Sequence, residues 1–310
     1  MSFKSFFSKV SARSVADCNY LRKRPIEDGL RLGGFDTITL MTQLESFIAE
    51  QTNKTISVAA YDFETGADIL VNADESFHPA STIKVHVMME AFRQSEQGLL
   101  PLDDQLPLVN SFTSLADGGK FELLESDDSE TTLYHRIGES ESIRELTRLM
   151  IVRSSNLATN LLLEKLGVAN VNDFIQALGI EGVSVRRGVE DKAAFRLGMN
   201  NSGCARGLTQ TMRLIVEGKV VSKQACDNMV EIMLGQEFNE SIPARLPHSA
   251  QVAHKTGWTG DLYHDTGIVY PDNRKPYAVS IMTKGFAEDQ PDEAHACMAA
   301  ISKLVYEQLQ

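Results

Sequence analysis

Strand-like patterning appears near both ends of this chain, and a long helical stretch separates the two. Residues 55–63 are rich in Val, Ile and aromatic side chains, Glu64-Thr65-Gly66 has turn chemistry, and Ile69-Leu70-Val71 resumes the pattern. That order predicts a β-hairpin. Comparable patterns return only at 251–255, 264–270 and 277–284. No strand–helix–strand repeat joins these segments, so a doubly wound parallel sheet is disfavoured. The arrangement predicts one antiparallel sheet that the chain leaves and re-enters, with packed helices and a separate all-helical lobe.

Apolar periodicity places the helices. Asp36 can cap a helix carrying Leu40, Met41, Leu44, Phe47 and Ile48 on one face. Pro79 precedes a helix over about 80–97, with Ile83, Val87, Met88, Ala91 and Phe92 aligned and Gly98 as its stop. Further helices are expected at 142–153, 155–166, 171–178, 208–217, 222–234 and 292–309. Residues 111–141 are acidic and Gly-containing with little periodicity, which predicts a loop-rich insertion.

At 310 residues the chain is long enough for one large domain or two closely packed ones. Residues 1–35 are polar, basic at Arg22-Lys23-Arg24 and without sustained periodicity, and are expected as an N-terminal extension or a peripheral arm. A single domain is expected over 36–310, its α/β part at about 36–80 and 235–310 and its helical lobe at about 81–234. Thirty Lys and Arg against 42 Asp and Glu leave a net charge of −12, which argues against a nucleic-acid partner. No apolar run approaches the roughly 18–20 residues of a membrane span. Lys4, Lys9 and Arg13 lie among Phe3, Phe6, Phe7 and Val10, but polar residues interrupt any secretory core, so the chain as written is expected in the cytoplasm. Cys18, Cys204, Cys226 and Cys297 are scattered and are expected as reduced thiols. The histidines show no metal-binding spacing and no nucleotide-binding loop is present, so neither metal nor cofactor is expected.

Three short sequences can carry chemistry. In Ser81-Thr82-Ile83-Lys84 a hydroxyl and an amine three residues apart share a helical face, in the first turn, where unpaired N–H groups favour developing negative charge. A serine is a weak nucleophile without a base, and a lysine of depressed pKa can serve as one. About one such pair is expected by composition in any chain this long, so alone it says little. In Ser154-Ser155-Asn156, Ser154 and Asn156 can point into a cleft as proton shuttle and substrate amide, or Ser155 or Asn156 can simply cap the next helix. Lys255-Thr256-Gly257 ends a strand pattern. Lysine and threonine there can hold a carboxylate and the glycine lets a substrate backbone lie alongside, or the lysine only guards a sheet edge.

Their conjunction, in this order and each in its context, is the set found in β-lactamases and penicillin-binding proteins. From about Asp36 to its end the chain resembles the class A β-lactamase-like serine hydrolases, including at Asp62-Phe63-Glu64-Thr65-Gly66, Asn156-Leu157-Ala158-Thr159-Asn160 and His254-Lys255-Thr256-Gly257. The resemblance implies an α/β fold: a five-stranded antiparallel sheet flanked by helices, an all-helical lobe, and an active site between them. It makes Ser81 the acylated nucleophile, Lys84 its base, and Ser154 the donor of a proton to the leaving nitrogen. Asn156 would contact substrate, Lys255 and Thr256 would bind its carboxylate, and the backbone N–H groups of Ser81 and Trp258 would form the oxyanion hole. Trp258 is expected to line the cleft. The expected partner is a small-molecule substrate, a β-lactam or a D-Ala-D-Ala-like peptide; the protein is expected as a monomer, and the family alone would suggest a periplasmic or secreted one.

Two departures from the family pattern bear on function. Ser155 stands where β-lactamases usually carry Asp. In the loop Arg187-Gly188-Val189-Glu190-Asp191-Lys192-Ala193-Ala194, Glu190 lies 36 residues after Ser154, a spacing that suits the deacylating base, yet Ala193 and Ala194 replace the expected Asn. The base is then Glu190 or Asp191, or the loop is purely structural. A working base gives a β-lactamase. Without one the expectation is a D-alanyl-D-alanine carboxypeptidase or esterase-like hydrolase, or a non-hydrolytic penicillin-binding sensor that stays acylated.

Overall fold

A computed structural model describes residues 37–309. The extension at 1–35, Cys18 and the capping position Asp36 lie outside the described residues. In chain order the elements are α1 (Thr37–Glu50), β1 (Thr55–Asp62), β2 (Asp68–Val71), α2 (Lys84–Glu96), β3 (Gln105–Pro107), β4 (Phe112–Thr113), β5 (Lys120–Phe121) and β6 (Ser140–Ser142). There follow α3 (Ile143–Val152), α4 (Asn156–Leu166), α5 (Val168–Ala177), α6 (Lys192–Arg196), α7 (Ala205–Val216) and α8 (Lys223–Leu234). The chain closes with β7 (Gln251–Thr259), β8 (Leu262–Tyr270), β9 (Tyr277–Lys284) and α9 (Pro291–Leu309).

The expected five-stranded antiparallel sheet is present, in the order β2-β1-β9-β8-β7. The central pairing, β1 with β9, joins the two distant ends of the sequence. Residues Ile56 to Ala60 are all buried because the sheet is covered on both faces, which is why this strand lacks clean alternation. Helix α7 packs on β1, β8 and β9, and α9 packs on β8 and β9. In the helical part α2 touches α3, α4, α5 and α8. Every residue from Lys84 to Phe92 is buried, as expected of a helix surrounded by others. Residues 37–309 form one compact unit. Among the described residues no helix is long and apolar enough to cross a membrane.

Several expectations need correction. The helix expected from residue 80 begins as a 3-10 turn, Ala80–Ile83, and becomes α-helical only at Lys84. The strand at 251–255 runs on to Thr259, and the one at 264–270 starts at Leu262, because β7 and β8 pair without interruption up to Thr259↔Leu262. His264 and Asp265 therefore lie inside β8. The insertion at 111–141 is more ordered than its composition suggests: β4 pairs with β5, and β6 pairs with β3. Helix α6 was not expected; Asp191 makes it by accepting the Ala194 N–H. Cys204, Cys226 and Cys297 are free and buried.

Candidate active site

A cleft of about 1100 Å³ is lined by Ser81, Ser154, Asn156, Glu190 and Trp258. Lys84 and Lys255 lie behind this lining, each fully buried. Three of its residues hold left-handed backbone that non-glycine residues rarely adopt: Ala80 (φ +48°), Ser154 (+57°) and Glu190 (+59°). Each such position costs about 1–3 kcal/mol and persists only where surrounding packing enforces it.

The two lysines converge on one hydroxyl. Ser154 Oγ accepts from Lys84 Nζ at 3.2 Å and from Lys255 Nζ at 3.0 Å. Lys84 Nζ also donates to the Ser154 carbonyl (2.7 Å) and to Asn156 Oδ1 (2.8 Å), and Lys255 Nζ donates to the Thr256 carbonyl (2.8 Å). Thus the amine expected to face Ser81 one turn back is anchored across the cleft, on the second of the three sequences. Burial pulls the Lys84 pKa down to about 7, against the opposing pull of the Asp128 carboxylate. Burial, and then the charge of Lys84, hold Lys255 well below the usual lysine range, with Asp265 acting the other way.

Gly257 brings β7 to the serine. A side-chain carbon there would lie 2.7 Å from Ser81 N and 3.0 Å from Thr82 N, so only glycine lets the strand approach these N–H groups. Next to it, Thr256 Oγ1 is buried with no hydrogen-bond partner. Trp258 is 44% exposed at the cleft and meets Phe238 edge to face, 5.4 Å away.

Two side chains serve the start of α4. Ser155 caps α4 by accepting the Ala158 N–H (3.1 Å). Asp128, from the 111–141 insertion, delivers Oδ2 to the Asn156 and Leu157 N–H groups, both at 2.9 Å, and takes the Tyr134 hydroxyl at 3.0 Å. The free N–H groups of a helix start favour a carboxylate there. Asn156 is held further by the Asp127 carbonyl, which accepts from Nδ2 at 3.0 Å. Sequence reasoning missed Asp128, since no spacing rule links it to residue 156; the acidity of the insertion was the only signal.

In the 187–194 loop the two acids differ. Asp191 is buried and fully engaged: Ser114 Oγ (2.8 Å), the Leu115 N–H (3.1 Å) and the Ala194 N–H (2.9 Å) all donate to it. Glu190 lines the cleft with its side chain 41% exposed, and its nearest cation is Lys192 at 3.9 Å. Asn160, also missed, clamps the loop: Nδ2 donates to the Val189 carbonyl (2.9 Å) and Oδ1 accepts the Val189 N–H (2.8 Å). His264 is structural, donating from Nε2 to the His78 carbonyl (2.9 Å) and accepting the Thr283 N–H (3.2 Å). Asp265 binds His254 Nδ1 (2.9 Å) and the Ile242 N–H (3.0 Å).

The chain is similar to known proteins over most of its length. The chain is 25% identical over 281 residues to the extended-spectrum β-lactamase PER-1 of Pseudomonas aeruginosa, covering 86% of each. It is 25% identical over 290 residues to the carbapenem-hydrolyzing β-lactamase KPC of Klebsiella oxytoca, covering 90% of this chain and 93% of that one. Among solved structures, a single-residue variant of PBP-A, in an acyl-enzyme complex with penicillin G, superposes with a TM-score of 0.75 at 26% identity, over 87% of this chain and 96% of that one. The sequence profile of the Beta-lactamase enzyme family matches residues 39–309. By that match, nearly its whole described length, the chain belongs to the Beta-lactamase enzyme family.

Proposed function

We propose that this protein is a serine hydrolase that opens β-lactam amide bonds through an acyl-enzyme on Ser81. One observation carries the reading: two buried lysines meet on Ser154 Oγ in the cleft that Ser81 lines, and a glycine strand lies against the Ser81 N–H. With its pKa lowered to about 7, Lys84 is in part neutral at physiological pH; on losing its proton it gives up one of its three donated bonds, and the lone pair so freed can take the Ser81 hydroxyl proton as Oγ attacks the carbonyl. The N–H groups of Ser81 and Trp258 stabilise the oxyanion, a donor pair worth about 3–4 kcal/mol per member in comparable sites. Ser154, in contact with both lysines, passes a proton to the leaving nitrogen as the C–N bond breaks. Lys255 and the unpartnered Thr256 hydroxyl receive the substrate carboxylate, and Asn156 orients the amide. Glu190 activates the water that attacks the ester and regenerates Ser81.

A second reading, a protein that binds penicillins and stays acylated, is favoured by one feature. The Glu190 carboxylate makes no hydrogen bond to Lys84, Asn156 or Asn160, so no residue yet holds it over a water. A chromogenic cephalosporin followed together with intact protein mass separates the two. Hydrolysis gives sustained colour with no lasting adduct, and Glu190→Gln then accumulates the adduct. A stoichiometric adduct on the unaltered protein supports the acylated binder, and unchanged turnover in Glu190→Gln removes Glu190 from the mechanism.

A further inference from the structure

His78 and Arg187 line the same cleft but belong to none of the three short sequences. His78 Nδ1 faces the Ala80 N–H at 3.2 Å, and Nε2 faces Arg187 Nη2 at 3.1 Å. Burial and the neighbouring guanidinium keep the imidazole neutral, with its pKa near 4. A neutral imidazole has one N–H and one lone-pair nitrogen, so it cannot accept from both donors. One of the two contacts is therefore donor against donor.

Arg187 shows the same excess of donors. It is 7% exposed, Nη1 donates to the Gly188 carbonyl at 3.0 Å, and Nε is buried with no hydrogen-bond partner. Glu190 and Asp191 are the acids whose charge it feels, yet neither carboxylate bonds to it. Asp191 is saturated by Ser114, Leu115 and Ala194, and Glu190 lies toward Lys192. A buried guanidinium without a carboxylate, beside an imidazole short of an acceptor, is costly unless an anion completes it.

We propose that Arg187 and His78 form a second anion subsite in the cleft, which takes a carboxylate carried on the acyl half of the substrate. The first carboxylate, on the leaving-group side, belongs to Lys255 and Thr256, so the preferred substrate is an acyl donor with two acidic groups. The identity of the acyl half rests on the β-lactam reading above; the subsite itself rests on the unmatched donors.

Benzylpenicillin and carbenicillin differ by one carboxylate on the side-chain carbon, and their acylation rate constants test the subsite directly. Arg187→Gln is expected to lower the carbenicillin-to-benzylpenicillin ratio about tenfold or more, the usual worth of a hydrogen-bonded charge pair. An unchanged ratio overturns the proposal. Trp258 is the chain's one tryptophan and lines the cleft, so its fluorescence reads binding without any acylation. Phenylmalonate is expected to bind at least about tenfold tighter than phenylacetate to the unaltered protein, and Arg187→Gln to erase the difference. Equal affinities refute the subsite even if Arg187→Gln fails to fold. Selective phenylmalonate binding by a protein that neither penicillin acylates would refute the β-lactam reading and keep the subsite.

Discussion

Replacing Gly257 with alanine isolates the contact between β7 and the serine. The added methyl would stand 2.7 Å from Ser81 N, 3.0 Å from Thr82 N and 3.1 Å from Ala80 Cβ. The first two atoms are backbone of the 3-10 turn, so no side chain can rotate away. Restoring ordinary contact near 3.4 Å requires the strand or the turn to withdraw by about 0.7 Å. Errors of about 1 Å in the placement of reacting groups cost up to about 100-fold in rate. A loss of roughly 10- to 100-fold in the acylation rate constant is expected, with the melting temperature little changed because β7 and β8 stay paired through nine residue pairs. Pre-steady-state acylation by penicillin G, beside thermal unfolding, gives both numbers. Acylation within twofold of the unaltered protein would show that the close approach has no part in catalysis, and a collapse of stability would make the glycine a folding residue.

Lys84 makes stability depend on pH in a direction that can be stated beforehand. Its folded pKa of about 7 lies below the ordinary 10.5 of an exposed lysine, so the unfolded chain binds the extra proton between these values. Stability therefore rises with pH across that window, and the burial penalty is complete only below pH 7. Between pH 7 and 9 the unaltered protein should gain on the order of 2 kcal/mol relative to Lys84→Met, measured by denaturant unfolding at each pH. A constant difference between the two proteins would contradict a depressed lysine. Asp128→Asn keeps an oxygen for the α4 N–H groups but removes the charge that raises the Lys84 pKa. Its acylation profile should shift to lower pH with little loss at pH 8, whereas a uniform loss at every pH would make Asp128 a structural cap alone.

Much of this site was legible because its parts are local. Ser81 and Lys84, Ser154 and Asn156, and Lys255 to Trp258 are short spacings, and their order alone suggests a common cavity. The sheet was legible for the same reason, since Val- and Ile-rich runs such as 277–284 need no partner to be recognised. What escaped depends on contacts between residues far apart in the chain. Asp128 reaches Asn156 across 28 positions, and nothing near residue 156 announces that a carboxylate arrives from the insertion. The 3-10 turn before Lys84 starts at Ala80, which holds a positive φ and lies beside Gly257 of a strand distant in the sequence, a tertiary neighbourhood that helical periodicity does not report. The destination of the Lys84 amine is decided by burial: taken out of water, it turns to the nearest oxygens, on Ser154 and Asn156. Asp191 stood beside Glu190 as an alternative base, and only its three donors show how the loop holds it.

The rate of penicillin G acylation as a function of pH, with the adduct located by peptide mass, tests the central claim most directly. A penicilloyl group on Ser81 is expected, forming at a rate that rises through about pH 7 as Lys84 loses its proton and then levels. An adduct on any other residue, or a rate on Ser81 indifferent to pH between 5 and 9, would contradict activation of that serine by the buried lysine.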